Sequence, residues 1–180
     1  MSEDWDPGPI GARASPQTAA RAFLAGPLSR VGPSDSRTAL ELTSVQPSAA
    51  GGTVVRFAEK VGGVPVFGAE VLVDLDKSGA VRSAASESLP GPAPVLHASI
   101  NPTEASATAL AVAAASTHTD RAALATSPMQ QWIYDPRILG RPGSSGATLV
   151  WGTEVVSTSG PSVNRLIFVD ANDGSLTLEL

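Results

Sequence analysis

No cysteine occurs in the 180 residues. Disulfides, thiolate nucleophiles and cysteine-held metals are therefore excluded together. Aromatic residues make up only 4% of the chain, so the core must be built from Val, Leu, Ile and Ala. Lysine is nearly missing, with Lys60 and Lys77 as the only two among twelve basic residues. The arginines are scattered singly and the formal net charge is −5. Phosphate binding needs clustered positive charge, so a nucleic-acid partner is excluded. No run of about 18 apolar residues exists, so no helical membrane span is expected. The opening Met1-Ser2-Glu3-Asp4-Trp5 lacks the basic and apolar regions of a signal peptide. Either the protein is intracellular or a leader has been removed.

The hydrophobic share of 42% is too high for disorder. The length suits one large domain or two small ones, and a chain of this size hides roughly 70% of its unfolded surface on folding. The pattern predicts two similar units, each a helix followed by strands. Ser15-Pro16 opens the first helix as N-cap and first helical residue, and Gly26-Pro27 closes it. Ala20, Phe23 and Leu24 share one face. Strand-like runs follow at 40–45, 53–60, 64–75 and 80–87. Val61-Gly62-Gly63 reads as a hairpin turn between the second and third runs, and Asp76-Lys77-Ser78-Gly79 as the next turn. Pro90, Pro92 and Pro94 cannot continue a strand and mark a boundary. Asn101-Pro102-Thr103-Glu104 carries the signs of a capping box, ahead of an alanine-rich helix running to Ser116. Strands recur at 131–134, 148–156, 164–170 and 175–179, with a loop over 137–146. The expected fold class is α+β, with two tandem units, each a helix packed on an antiparallel β-sheet meander. Residues 1–12 form a leader, 13–90 the first unit, 91–99 a proline-rich linker and 100–180 the second unit. The turn after Val73 resembles the turn after Val169. Related units and a shared hairpin solution both explain this.

Candidate chemistry is sparse. Asp74, Asp76, Ser78 and Gly79 match the opening of a calcium loop, D-x-D-x-S-G, but the closing acid would fall on Ala85 and no helix flanks the segment. A hairpin turn is the favoured reading. His97 and His118 stand 21 positions apart, outside any H-E-x-x-H, which favours solvated or capping roles. Gly143-Ser144-Ser145-Gly146 matches neither a nucleophile elbow nor a phosphate loop. If residue numbers across the second hairpin sum to 126, Arg56 faces Glu70, a structural cross-strand pair. No convergent set of titratable groups emerges, and a catalytic role is not expected.

The segment from Val55 to Val71 resembles the fungalysin/thermolysin propeptide (FTP) motif. The residues that carry the resemblance are Arg56, Glu59, Gly62, Pro65, Val66, Phe67, Gly68 and Glu70, with Glu59 standing where glutamine is usual. The upstream Ala19-Ala20-Arg21-Ala22-Phe23-Leu24 is similar to the opening helix of such propeptides. From about Ile100 onward the chain resembles a PepSY propeptide unit. Its markers are Thr103-Glu104-Ala105, Leu149-Val150-Trp151, and the run from Phe168 through Asp170 to Gly174.

The resemblance implies a non-catalytic pro-region of a secreted zinc metalloprotease, acting as intramolecular chaperone and noncovalent inhibitor. Its partner would be the cognate catalytic domain. No cofactor is expected in this chain, since zinc would belong to that domain and its H-E-x-x-H is absent from these residues. Glu179 and Leu180 are the candidate contacts with the protease cleft, while Ser175–Leu178 is expected to pair within its own sheet. The alternative is a free-standing FTP/PepSY module that binds a peptide or protein, or inhibits a protease, at the cell surface.

Overall fold

A computed structural model of the chain describes residues 14–26, 37–141 and 146–180. The leader over 1–12, Pro27 and the Gly143–Ser145 part of the glycine-serine loop lie outside the described residues. Among the described residues two α-helices, α1 (Pro16–Ala25) and α2 (Pro102–Thr117), accompany nine strands. These are β1 (Thr38–Pro47), β2 (Thr53–Val61), β3 (Val64–Leu75), β4 (Val81–Glu87), β5 (Leu124–Thr126), β6 (Gln130–Tyr134), β7 (Thr148–Ser157), β8 (Asn164–Asp170) and β9 (Leu176–Glu179). Among the described residues no helix is long and apolar enough to cross a membrane.

The expectation of two tandem units, each a helix on an antiparallel meander, is overturned. The strands form one nine-stranded mixed sheet in the order β1-β2-β3-β6-β7-β8-β9, with β4 added to β3 and β5 to β7. The mixed character comes from β3, which runs parallel to β6 through Val66 and Ile133. Local turn chemistry marks where strands start and stop. It carries no information on a pairing between residues 67 positions apart. The strand β5 leaves no signal in the sequence, because three residues are too few to show a period.

Two compact units interleave along the chain. One takes in α1, Leu40–Glu59 and Ala69–Ser88, and the other Lys60–Gly68 and Leu89–Leu180, with residues 37–39. In the first, Ser15 Oγ accepts the Thr18 N–H at 3.2 Å, Pro16 occupies the first turn, and the Gly26 N–H closes on the Phe23 carbonyl. The helix lays Ala19, Ala20, Phe23 and Leu24 on Val55, Phe57, Val71, Val73 and Leu75. Arg21 sits 5.0 Å over the Phe57 ring. Arg82 ties the loop after β1 to β3: it donates to the carbonyls of Ala50, Gly51 and Leu75 and to Asp74 Oδ1.

In the second unit, Asn101 Oδ1 accepts the N–H groups of Thr103 and Glu104, while Glu104 Oε2 accepts the Asn101 N–H at 2.8 Å. This reciprocal cap satisfies donors that the first turn leaves open. Ala105, Ala109 and Ala113 are fully buried and repeat at one-turn spacing, so α2 presents a methyl stripe to Leu124, Val155, Val163, Ile167 and Val169. His118 ends the helix in the left-handed conformation at φ 53°, its N–H on the Ala114 carbonyl. The opposite sheet face carries Tyr134, Val150, Phe168 and Leu178, joined by Phe67 and Trp132. Gly152 makes room there. A Cβ on it would lie 2.6 Å from Phe168 Cε1 and 2.8 Å from Trp132 Cδ1.

Asp135 is fully buried. It accepts the Arg137 N–H, and its carboxylate takes Nε at 2.9 Å and Nη2 at 2.6 Å from the same arginine. The Arg137 hydrogen bonds hold its carboxyl below the usual aspartate range, with burial opposing them. A depressed folded-state value means stabilisation that is complete above the unfolded value, about 3.9, and is lost as pH falls through the folded value. Asp135→Asn is expected to cost about 1–3 kcal/mol at pH 7 in urea unfolding, with the gap to wild type closing as the acid arm is entered. An unchanged gap at pH 3 would refute the assignment.

Candidate partner-binding region

The FTP-like residues lie on the hairpin of β2 and β3. Gly62 and Gly63 have φ of 57° and 85°, the positive pair that a two-residue hairpin turn of the primed type requires. The Gly62 N–H donates to the Arg37 carbonyl at 3.0 Å. A Cβ on Gly62 would come 2.7 Å from Leu96 Cδ1, so this glycine also admits a close neighbour from the proline-rich segment. Pro65 sits one residue into β3, where a missing N–H is tolerated.

Gly68 has φ 79°, inside a strand. Before it the inward residue is even-numbered, Val66. After it the inward residues are odd-numbered, namely Ala69, Val71, Val73 and Leu75. A left-handed residue in a strand acts as a bulge and re-aims the side chains that follow. Gly68 thus lets one strand serve two cores, and the boundary between the compact units falls after it. Ile138 Cγ2 and Leu139 Cδ2 approach its would-be Cβ at 3.2 and 3.1 Å. Just ahead of the bulge, Phe67 meets Phe168 edge-on at 4.7 Å between centroids and Trp132 at 5.9 Å. In a chain so poor in aromatics, Phe67, Trp132 and Phe168 meet in one cluster.

Arg56 Nη1 donates to Glu70 Oε2 at 2.8 Å, with each side chain 38% exposed. This is the pairing that a register sum of 126 puts across the hairpin. Glu59 is buried at 1% exposure on the inward row of β2, with Val55, Phe57 and Val61, and it is not left without a partner. Asp170 Oδ1 accepts the Asn172 N–H at 2.7 Å, and Gly174, at φ 76°, returns its N–H to the Asp170 carbonyl at 3.1 Å. Asp173 Oδ1 takes the Ser175 N–H at 2.8 Å, and that bond holds its carboxyl below the usual range.

The calcium-like segment is a turn of the same kind. Asp76 Oδ1 accepts from Ser78 Oγ, the Ser78 N–H and the Ala80 N–H. The Ser78 hydroxyl is the main cause of its lowered pKa. Asp74 faces Arg82 at 3.1 Å. Both carboxylates are engaged locally. Among the described residues no group of three or more His, Cys, Asp or Glu is placed to hold a metal ion. His97 is exposed in the extended segment after the prolines.

The tail does not stand free. Leu178 pairs with Phe168 and Glu179 with Ile167. Leu180 exchanges both backbone hydrogen bonds with Leu166 at 3.0 Å. Glu179 Oε1 accepts from Ser116 Oγ and lies 3.5 Å from Arg165 Nε. The side chain of Leu180 is 48% exposed. Two features escaped the sequence reading. Asp135-Pro136-Arg137 has the cap-then-proline order that could have revealed its turn. The strand-switching role of Gly68 has no local signal beyond glycine in an apolar strand.

Residues 38–88 match the family described as Fungalysin/Thermolysin Propeptide Motif. The chain is also similar to a protein of Renibacterium salmoninarum named "Zinc metalloproteinase", at 28% identity over 123 residues. That alignment covers 68% of this chain and 22% of the relative, so the matched part is about a fifth of the relative's length.

Two substitutions test this geometry. Gly68→Ala forces an L-residue into the left-handed region and is expected to cost about 1–2 kcal/mol, seen as a lower urea midpoint with an altered tryptophan spectrum. A midpoint equal to wild type would contradict the bulge. A double-mutant cycle on Arg56→Ala and Glu70→Ala should give a coupling of about 0.2–1 kcal/mol that shrinks in high salt. Zero coupling at low salt would show the pair to be passive.

Proposed function

We propose, from the premise that residues 38–88 form a fungalysin/thermolysin propeptide motif and that the chain carries a propeptide region of such proteases, that it acts as chaperone and noncovalent inhibitor of its cognate metalloprotease. The observation that carries this reading is the pairing of a propeptide match with similarity to a zinc metalloproteinase. Residues 100–180, similar in motif order to a PepSY unit, complete the pro-region in this reading. The precursor is secreted, and zinc belongs to the catalytic domain. Glu179 and Leu180 are assigned to the contact with that domain.

The physics asks nothing catalytic of the chain. A partner that binds the folded protease and not the unfolded one stabilises it by mass action, by about 2.7 kcal/mol at a hundred times its dissociation constant. Inhibition needs only a surface that covers the cleft. The local engagement of Asp74, Asp76, Asp170 and Asp173 supports a scaffold over a reactive site.

The test adds the purified chain to the mature zinc protease of the same organism and measures peptide hydrolysis and refolding yield. Hydrolysis is expected to fall and saturate with added chain, and refolding yield to rise. Protease activity and refolding both unaffected at micromolar chain would overturn the reading.

A further inference from the structure

The connections between strands and helices differ in how their main chain is held. The Ser48 N–H closes the turn after β1 on the Gly52 carbonyl. Asp76, Asp135 and Asp173 tie their turns by accepting backbone N–H groups. Ser157 and Val163 close the loop between β7 and β8. Residues 92–98, between β4 and α2, are held differently. They belong to no helix or strand. Both flanks are fixed: the Gly91 N–H donates to the Leu89 carbonyl at 3.0 Å, and the N–H groups of Ser99 and Ile100 to the Ala171 carbonyl at 2.8 and 3.1 Å. Among the described residues, none of 92–98 makes a hydrogen bond to another part of the chain.

The side chains there alternate between solvent and protein, as in an extended chain. Val95 is 79% exposed, more than any other large apolar side chain among the described residues. His97 is exposed as well. Leu96 between them is half-buried, and its Cδ1 lies 2.7 Å from where a Cβ on Gly62 would stand. An extended peptide is recognised through main-chain bonds that its own fold leaves open. A bond inside a helix or sheet is cut only after local opening, at a rate that falls with the rarity of the open form. In 92–98 only the Leu96 side chain has to lift. Proline narrows the choice of bond. The bonds that enter Pro90, Pro92 and Pro94 have no N–H on the leaving side, so the susceptible bonds lie within 94–98.

We propose that the segment 94–98 is a cleavage site for the metalloprotease that the chain accompanies. The step is hydrolysis of one peptide bond. The bond from carbonyl carbon to nitrogen breaks, the carbon takes the hydroxyl of water, and the nitrogen takes the proton. A carboxyl group and a new amino terminus result. The place of the cut follows from the segment itself, while the identity of the protease rests on the pro-region reading. The cut chain stays together in solution. Lys60–Gly68 belongs to the same compact unit as Leu89–Leu180, so Val66 beside Ile133 and Phe67 against Phe168 still join the two fragments.

The test incubates the folded chain with an excess of the mature zinc protease of the same organism and, in parallel, with a broad-specificity serine protease. Cuts are mapped by intact mass, and the products are run on size exclusion. Of the bonds in the described residues, both proteases are expected to cut first within 94–98, and the two fragments to elute together at the volume of the intact chain. The double variant Val95→Pro, His97→Pro removes two N–H groups that bond nothing in the chain. It is expected to keep a near-native melting temperature and to slow this cut by about tenfold or more. If it does not fold, the wild-type cleavage map decides. Where the intact chain inhibits, a first cut by the zinc protease at another described bond, or an uncut segment beside a digested control peptide, overturns the cleavage proposal alone. A chain that neither inhibits nor aids refolding overturns the pro-region reading instead. Fragments that separate on size exclusion contradict the joined product.

Discussion

The left-handed backbone at Gly68 is the constraint on which the arrangement of β3 depends. A strand alternates its side chains strictly, so an unbroken β3 would bury either Val66 or the row from Ala69 to Leu75, and not both. One residue with positive φ shifts the alternation by one and lets both be buried. Only glycine takes that conformation without a Cβ penalty. The consequences run in both directions along the strand. Ahead of the bulge, Val66 pairs with Ile133 and Phe67 joins Phe168 and Trp132. Behind it, Val71, Val73 and Leu75 pack under α1.

A second theme is where the polar side chains go. Asp76, Asp135, Asp170 and Asp173 each bind backbone N–H groups within four residues. Arg82 holds three carbonyls and a carboxylate. Glu104 closes a helix cap. These groups define turns and ends, which are the parts of a β-rich chain that alternation leaves unspecified.

The FTP-like residues acquire separate physical roles once placed. Gly62 and Gly63 make the turn, Pro65 tolerates the strand start, Gly68 makes the bulge, and Arg56 with Glu70 staples the hairpin across its exposed side. Glu59 replaces the usual glutamine on an inward row of apolar residues and is buried. A motif read as a string is thus a set of solutions to one problem, namely how a hairpin can contribute to two cores.

Much of the local structure was legible in the chain by itself. Ser15-Pro16 and Asn101-Pro102-Thr103-Glu104 announce their helices because caps act over three or four residues. The bounds of β3 and β8 follow from apolar runs set between turn residues. The turn roles of Asp76 and Asp170 follow from chemistry within a few positions, whereas the sequence leaves His118 between a solvated and a capping role. Only the tertiary structure decided that β3 runs beside β6, that the strands form one mixed sheet, and that the pairing of β9 with β8 shifts register at Thr177. Each of those outcomes depends on pairing between separate strands of the chain. Backbone hydrogen bonds are the same for every sequence, so the choice among pairings lies in the packing of whole faces, and no short stretch of residues records it.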